Sequence, residues 1–164
     1  MRGDIKPFIT KVQKPGRYVG GEAGTVYKDK SQVGLRVAFC FPDIYDIGMS
    51  NLGMRILCGV LNEMKDVWCE RAFAPWPDME AEMRSRDIPA YTHESGDSIR
   101  DFDIVAFTLQ YELSYTGVLN MLDLAGIPLH AAERGDDCPL VVGGGPCVCN
   151  PEPLADFFDL FTLG

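Results

Sequence analysis

From residue 35 onward, apolar runs of strand length alternate with stretches of helical period, and this rhythm constrains the fold more than any other feature of the chain. "LRVAFCF" (35–41), "VWCERAFAP" (67–75), "FDIVAFTL" (102–109), "IPLHA" (127–131), "PLVVGGG" (139–145) and "DLFTLG" (159–164) are short and apolar. Between them, "MSNLGMRILCGVLNEM" (49–64) places Met49, Leu52, Ile56, Val60 and Met64 at steps of three and four, one face of a helix with Ser50 as its cap. "WPDMEAEMRSRDI" has Pro77 near a helix start, acids in the first turn and Arg84 and Arg86 near the end. "SYTGVLNMLDLAG" (114–126) offers Ser114 as cap and Gly126 as stop, and "NPEPLADFF" offers Asn150 as cap and Pro151 at the first helical position. Strand and helix in alternation predict an α/β fold: a doubly wound, mainly parallel sheet of five or six strands with helices on both faces. "LRVAFCF" and "FDIVAF" are continuous in apolar character, which requires cover on both sides, so they are expected to be central and adjacent.

Residues 1–34 lack this rhythm and read as an extended arm or short hairpin laid on a single domain spanning 35–164, a length suited to one core. No apolar run reaches membrane-spanning length and the first residues carry no secretory signal, so a cytoplasmic location without membrane partners is expected. The net charge of −9 argues against nucleic acid, whose phosphates call for Lys and Arg. The six cysteines, at 40, 58, 69, 138, 147 and 149, follow no zinc-type spacing. They are expected as thiols, with Cys40 and Cys58 as small buried hydrophobes. His93 and His130 stand in no motif, and neither a Ser-His-Asp nor a Cys-His arrangement can be assembled. The reading therefore assigns no metal ligand and no catalytic residue to this chain.

Three loops fall at the carboxyl ends of expected strands, the edge where open parallel sheets bind ligands. They are "PDIYDIG" (42–48), "TLQYELS" (108–114) and "GGGPCVCN" (143–150). Each has a bland explanation: a turn, a capped helix start, and glycines needed for tight packing. Together they make a candidate cofactor site of Asp43, Tyr45, Asp46, Gly48, Thr108, Leu109, Gln110, Tyr111, Gly143, Gly144, Gly145 and Pro146. The triple glycine is expected to line the crevice, leaving it without side chains so that a flat or bulky ligand can approach backbone.

In this order the loops resemble the cobalamin (B12)-binding domain, a Rossmann-like fold. That family's D-x-H-x-x-G reads Asp43-Ile44-Tyr45-Asp46-Ile47-Gly48 here; its Ser-x-Leu element has a loose counterpart at Thr108, Leu109 and Gln110; its paired glycines match Gly143 to Gly145. Closer still is the resemblance to the N-terminal, B12-binding-like domain of a bacterial group of radical S-adenosylmethionine (SAM) proteins, carried by "KPGRYVGGE", "FAPWPDME", "LQYELSYTGVLNMLDLAGIPL" and "VVGGGPCVCNPEPLADFFDLFTLG". The resemblance implies cobalamin as cofactor and a downstream radical SAM domain as partner in the same chain. The parent would be an iron–sulfur oxidoreductase-like or methyltransferase-like enzyme. The C-x-x-x-C-x-x-C cluster motif is absent, so the resemblance puts the 4Fe-4S cluster and SAM beyond Gly164. Tyr45 replaces the family's histidine, and a neutral phenol does not donate to cobalt as imidazole does, so a bound corrinoid would be His-off. The competing expectation is the same fold without cofactor, kept for docking or substrate recognition. A flavodoxin-type site needs a Ser/Thr-rich phosphate loop where "DIYDIG" stands, and a phosphoreceiver needs an aspartate where Thr108 stands.

Overall fold

The computed structural model describes residues 2–163. Five strands form one parallel sheet in the order β2-β1-β3-β4-β5: β1 (Leu35–Phe41), β2 (Val67–Phe73), β3 (Ile104–Thr108), β4 (Leu140–Gly144) and β5 (Leu160–Phe161). The two apolar runs expected at the centre are β1 and β3, and they pair directly, Val37 opposite Ile104 and Cys40 opposite Phe107. The chain steps outward from β1 to β2 and then crosses back to β3, so the strand order reverses between β1 and β3.

The sheet separates two apolar clusters. On one side Ala38, Cys40, Val105, Phe107 and Val141 meet α3 (Pro77–Ser85), through Met79 and Met83, and α4 (Tyr115–Leu124), through Val118, Met121 and Leu122. The N-terminal arm completes this layer, with Ile5, Phe8, Val12 and Tyr18 buried in it; the arm carries three short 3-10 turns rather than a hairpin. On the other side Val37, Phe39, Phe41, Cys69 and Phe73 pack against Met54 and Cys58 of α2 (Leu52–Glu63). No helix of the described residues is long and apolar enough to cross a membrane.

Four expectations shift. The helix expected over 49–64 starts only at Leu52, as α2, and a separate single turn, α1 (Tyr45–Gly48), precedes it, because Asn51 is extended and its side chain accepts from the Met54 amide at 2.8 Å. Asn51 is therefore the cap, while Ser50 donates to the Asp46 carbonyl. "IPLHA" adds no strand: the Ile127 amide is spent on Leu122 of the preceding helix and Pro128 has none to give. "NPEPLADFF" forms a 3-10 turn over Glu152–Phe157, with prolines at 151 and 153 withholding amides and Asn150 closing the preceding turn. Ser114 makes no side-chain cap but donates to the Tyr111 carbonyl at 2.6 Å, whereas Gly126 does end α4 with a φ of +68°. Cys40 and Cys58 are buried thiols, as their apolar surroundings implied.

Candidate functional site

The carboxyl ends of β1, β3 and β4 bring the three loops to one edge. Asp43 follows β1, and its Oδ1 accepts from the Ile44 amide at 2.7 Å. The Tyr111 hydroxyl, from the loop after β3, donates to Asp43 Oδ2, a bond that pushes the phenol pKa up to about 12. These two loops therefore close on each other across the point where strand order reverses. Beside them the first turn of α4 lies so near Pro42 that a Cβ on Gly117 would stand 2.4 Å from the Pro42 carbonyl oxygen. Gln110 donates to Thr108 Oγ1 at 2.6 Å, and buried Leu109 is held through its backbone, its amide donating to the Gly144 carbonyl at 2.7 Å and its carbonyl accepting from the Cys147 amide at 3.2 Å.

The triple glycine has a packing reason at each position. A Cβ on Gly143 would meet the Phe161 ring at 2.8 Å, and one on Gly144 would meet Thr162 Oγ1 at 2.9 Å. Gly145 has a φ of +100° and sits 2.9 Å, by the same measure, from the Leu109 carbonyl. Pro146 opens the next 3-10 turn. Gly48 fits under Phe73 and Phe41, where a Cβ would come within 2.4 Å of the Phe73 ring.

Tyr45 and Asp46 turn away from this edge toward the arm. Asp46 pairs with Lys14 at 3.1 Å and Arg17 at 2.5 Å, and these cations hold its carboxyl below the usual range. Tyr45 stacks on His93 with ring centroids 5.4 Å apart, meets Phe73 edge-on, and donates to Glu22 Oε1 at 2.9 Å. Burial, and then the anionic Glu22, push the Tyr45 pKa up to about 12. Glu22 itself is held well below the ordinary carboxylate range by the Tyr45 hydroxyl and the Arg71 guanidinium that bind it, while His93 Nδ1, 3.9 Å away, is too far for a hydrogen bond and has no partner. Arg71 also binds Glu94 at 2.6 Å; burial raises the Glu94 pKa while Arg71 opposes that rise. This cluster adjoins a groove of about 370 Å³ between residues 22–26 and α2, walled by Leu52 and Ile56 and floored by Cys58, Cys69 and Arg71. Sequence reading missed it because Glu22, Arg71 and His93 come from three distant stretches, none of which carries a motif. Tyr45→Phe is expected to cost about 1 kcal/mol, the worth of one hydrogen bond on a half-buried phenol. The bond is intact below the free-phenol pKa and is lost as pH rises through the folded value. The difference from the parent in urea unfolding should therefore be full at neutral pH and vanish at strongly alkaline pH.

The fold is thus a parallel α/β domain whose carboxyl-edge loops are linked to one another, with an ordered arm across one flank. The chain belongs to the family described as radical SAM proteins, N-terminal, whose profile matches residues 53–164, more than half its length. It is also 28% identical over 130 residues to an uncharacterised protein of Methanocaldococcus jannaschii, a match covering 78% of this chain and 23% of the relative. The chain therefore spans about a quarter of that relative's length. No solved structure matches it.

Proposed function

We propose that this domain is the docking module of a radical SAM protein, holding the radical SAM domain of the same polypeptide in place, and that carrying a corrinoid is not its task. The observation that supports this reading is that the carboxyl-edge residues are spent on one another. Asp43 is taken by Tyr111, Pro42 abuts Gly117, and the space beside Gly143 and Gly145 is filled by Phe161 and the Leu109 backbone. The residues at that edge do not fit a cobalamin. The position that corresponds to the family's cobalt ligand is a tyrosine engaged with Glu22 on the arm side. Any iron–sulfur cluster and SAM chemistry belongs, in this reading, to the other domain of the protein.

The test is a titration of the protein with hydroxocobalamin and with cob(II)alamin, followed by visible absorption and electron paramagnetic resonance. The expected result is no saturable change in either spectrum. Tyr45→His, which restores the D-x-H-x-x-G pattern, is expected to give no nitrogen splitting from histidine, because residue 45 points to the arm rather than to the edge. Stoichiometric corrinoid binding by the parent would overturn the reading in favour of cofactor presentation.

A further inference from the structure

The helical face read from the sequence at Leu52, Ile56 and Val60 is the face that α2 turns to water. These three side chains are 65%, 54% and 49% exposed, while the helix buries Met54 and Cys58 on its opposite side. Between Leu52 and Glu63 the polar side chains are Arg55, Asn62 and Glu63, and Asn62 points inward to bond both the amide and the carbonyl of Cys69 at 2.9 Å. A helix apolar around nearly its whole circumference is one that is covered on both sides in the finished protein.

The sheet beside it repeats the pattern. Strand register places Ala106, Val142 and Leu160 in one row on the α2 side. Among the described residues α1 and α2 are the helices whose side chains enter that side's cluster, and they sit over β1 and β2. Ala106 and Val142 are left half-buried and Leu160 is 50% exposed, whereas their neighbours on the opposite side, Val105, Phe107 and Val141, are closed by helices and arm. From β3 to β5 the bare strip is two strand spacings wide, about 10 Å, the diameter of one helix.

Resting on the docking reading above, we infer that the outward face of α2 and the bare β3–β4–β5 strip form one continuous surface, and that the radical SAM domain of the same polypeptide covers it. It would lay a helix along the strip beside α2 and further apolar surface over Leu52, Ile56 and Val60. The family is the N-terminal part of radical SAM proteins, and the matched region is 23% of the M. jannaschii relative, so the same chain supplies a large second body at high effective concentration. A second copy of this domain is disfavoured because its net charge of −9 would be brought against an equal charge.

Hydroxyl-radical footprinting of the full-length protein tests the surface on native side chains. After correction for intrinsic reactivity, Leu52, Ile56 and Leu160 are expected to be oxidised about tenfold more slowly than Leu113, which is 88% exposed at the carboxyl edge, since interface cores pack as densely as interiors. The double variant Ile56→Glu and Val60→Glu changes only water-facing positions of α2. It is expected to return Leu160, on a different element, to the fast rate while buried Met79 and Met121 stay protected. Oxidation of Leu52, Ile56 and Leu160 as fast as Leu113 would overturn the surface. Protection that disappears on dilution together with a dimer would also overturn it, by assigning the cover to a second copy. Corrinoid binding with the surface protected would remove the docking-only reading and leave this inference standing. An unprotected surface without corrinoid binding would do the reverse.

Discussion

Glu70→Ala is expected to destabilise the domain by about 3–5 kcal/mol, the cost of removing one partner from a buried ion pair. Glu70 lies on β2 with no solvent exposure, and every bond it makes is internal. Oε1 accepts from Arg36 at 2.5 Å, and Oε2 accepts from the Thr92 hydroxyl and the Ser95 amide, both at 2.8 Å. Its loss strands a guanidinium that is itself only 14% exposed and sits over the Phe102 ring at 4.1 Å. Asp97, 2.8 Å from Arg36, offers partial compensation. Glu70→Gln retains the acceptor and should cost clearly less than alanine. Urea unfolding of the three proteins measures this, and an alanine cost below about 1 kcal/mol, the range of exposed pairs, would show that water reaches Arg36 freely. A loss of the expected size is a large part of the about 5–15 kcal/mol that holds a domain folded.

The second large effect is a difference in sign between two glycines in helices. Gly59 lies in α2 with nothing within 4 Å of a Cβ, so Gly59→Ala should stabilise by about 0.5–1 kcal/mol through helix propensity alone. Gly117 lies in α4 against the Pro42 carbonyl, and that loop is pinned from the other side by the Ala74 amide bonding to the Asp43 carbonyl at 3.0 Å. Gly117→Ala should therefore destabilise by about 1–3 kcal/mol, the cost of overpacking, despite the same gain in propensity. Thermal and urea unfolding of both variants read the two signs. Stabilisation by both would mean that the β1 loop yields freely and that the carboxyl edge is open rather than closed by Pro42 against α4.

Apolar continuity and period made the parallel sheet legible in advance, with β1 and β3 as adjacent interior strands. A run without polar positions has no face to offer water and must be covered on both sides. Legibility ended where short segments were judged by composition. "IPLHA" has strand-like residues, but its first amide is used by the preceding helix and its second residue has none. "NPEPLADFF" has a helix start but too many prolines to continue as an α-helix. At the candidate site the apolar runs that precede the three loops place them at the carboxyl ends of β1, β3 and β4. What each side chain does there was not readable, because Tyr45 and Asp46 are turned by partners 23 and 32 residues earlier, Glu22 and Lys14.

The sequence by itself determined the class of fold, the central strands and the edge at which the unusual loops gather, because these follow from local period and from the need to bury apolar runs. Only the tertiary structure decided which face of α2 is inside. Both of its sides are apolar, so periodicity found the water-facing row of Leu52, Ile56 and Val60, and the choice fell to shape. Met54 and Cys58 fit against Val37, Phe39 and Cys69 while Asn62 reaches the Cys69 backbone. Tertiary structure also decided that Gly143 to Gly145 serve close packing against Phe161, Thr162 and Leu109, since a glycine's sequence neighbours carry no record of which atoms lie where its side chain would be.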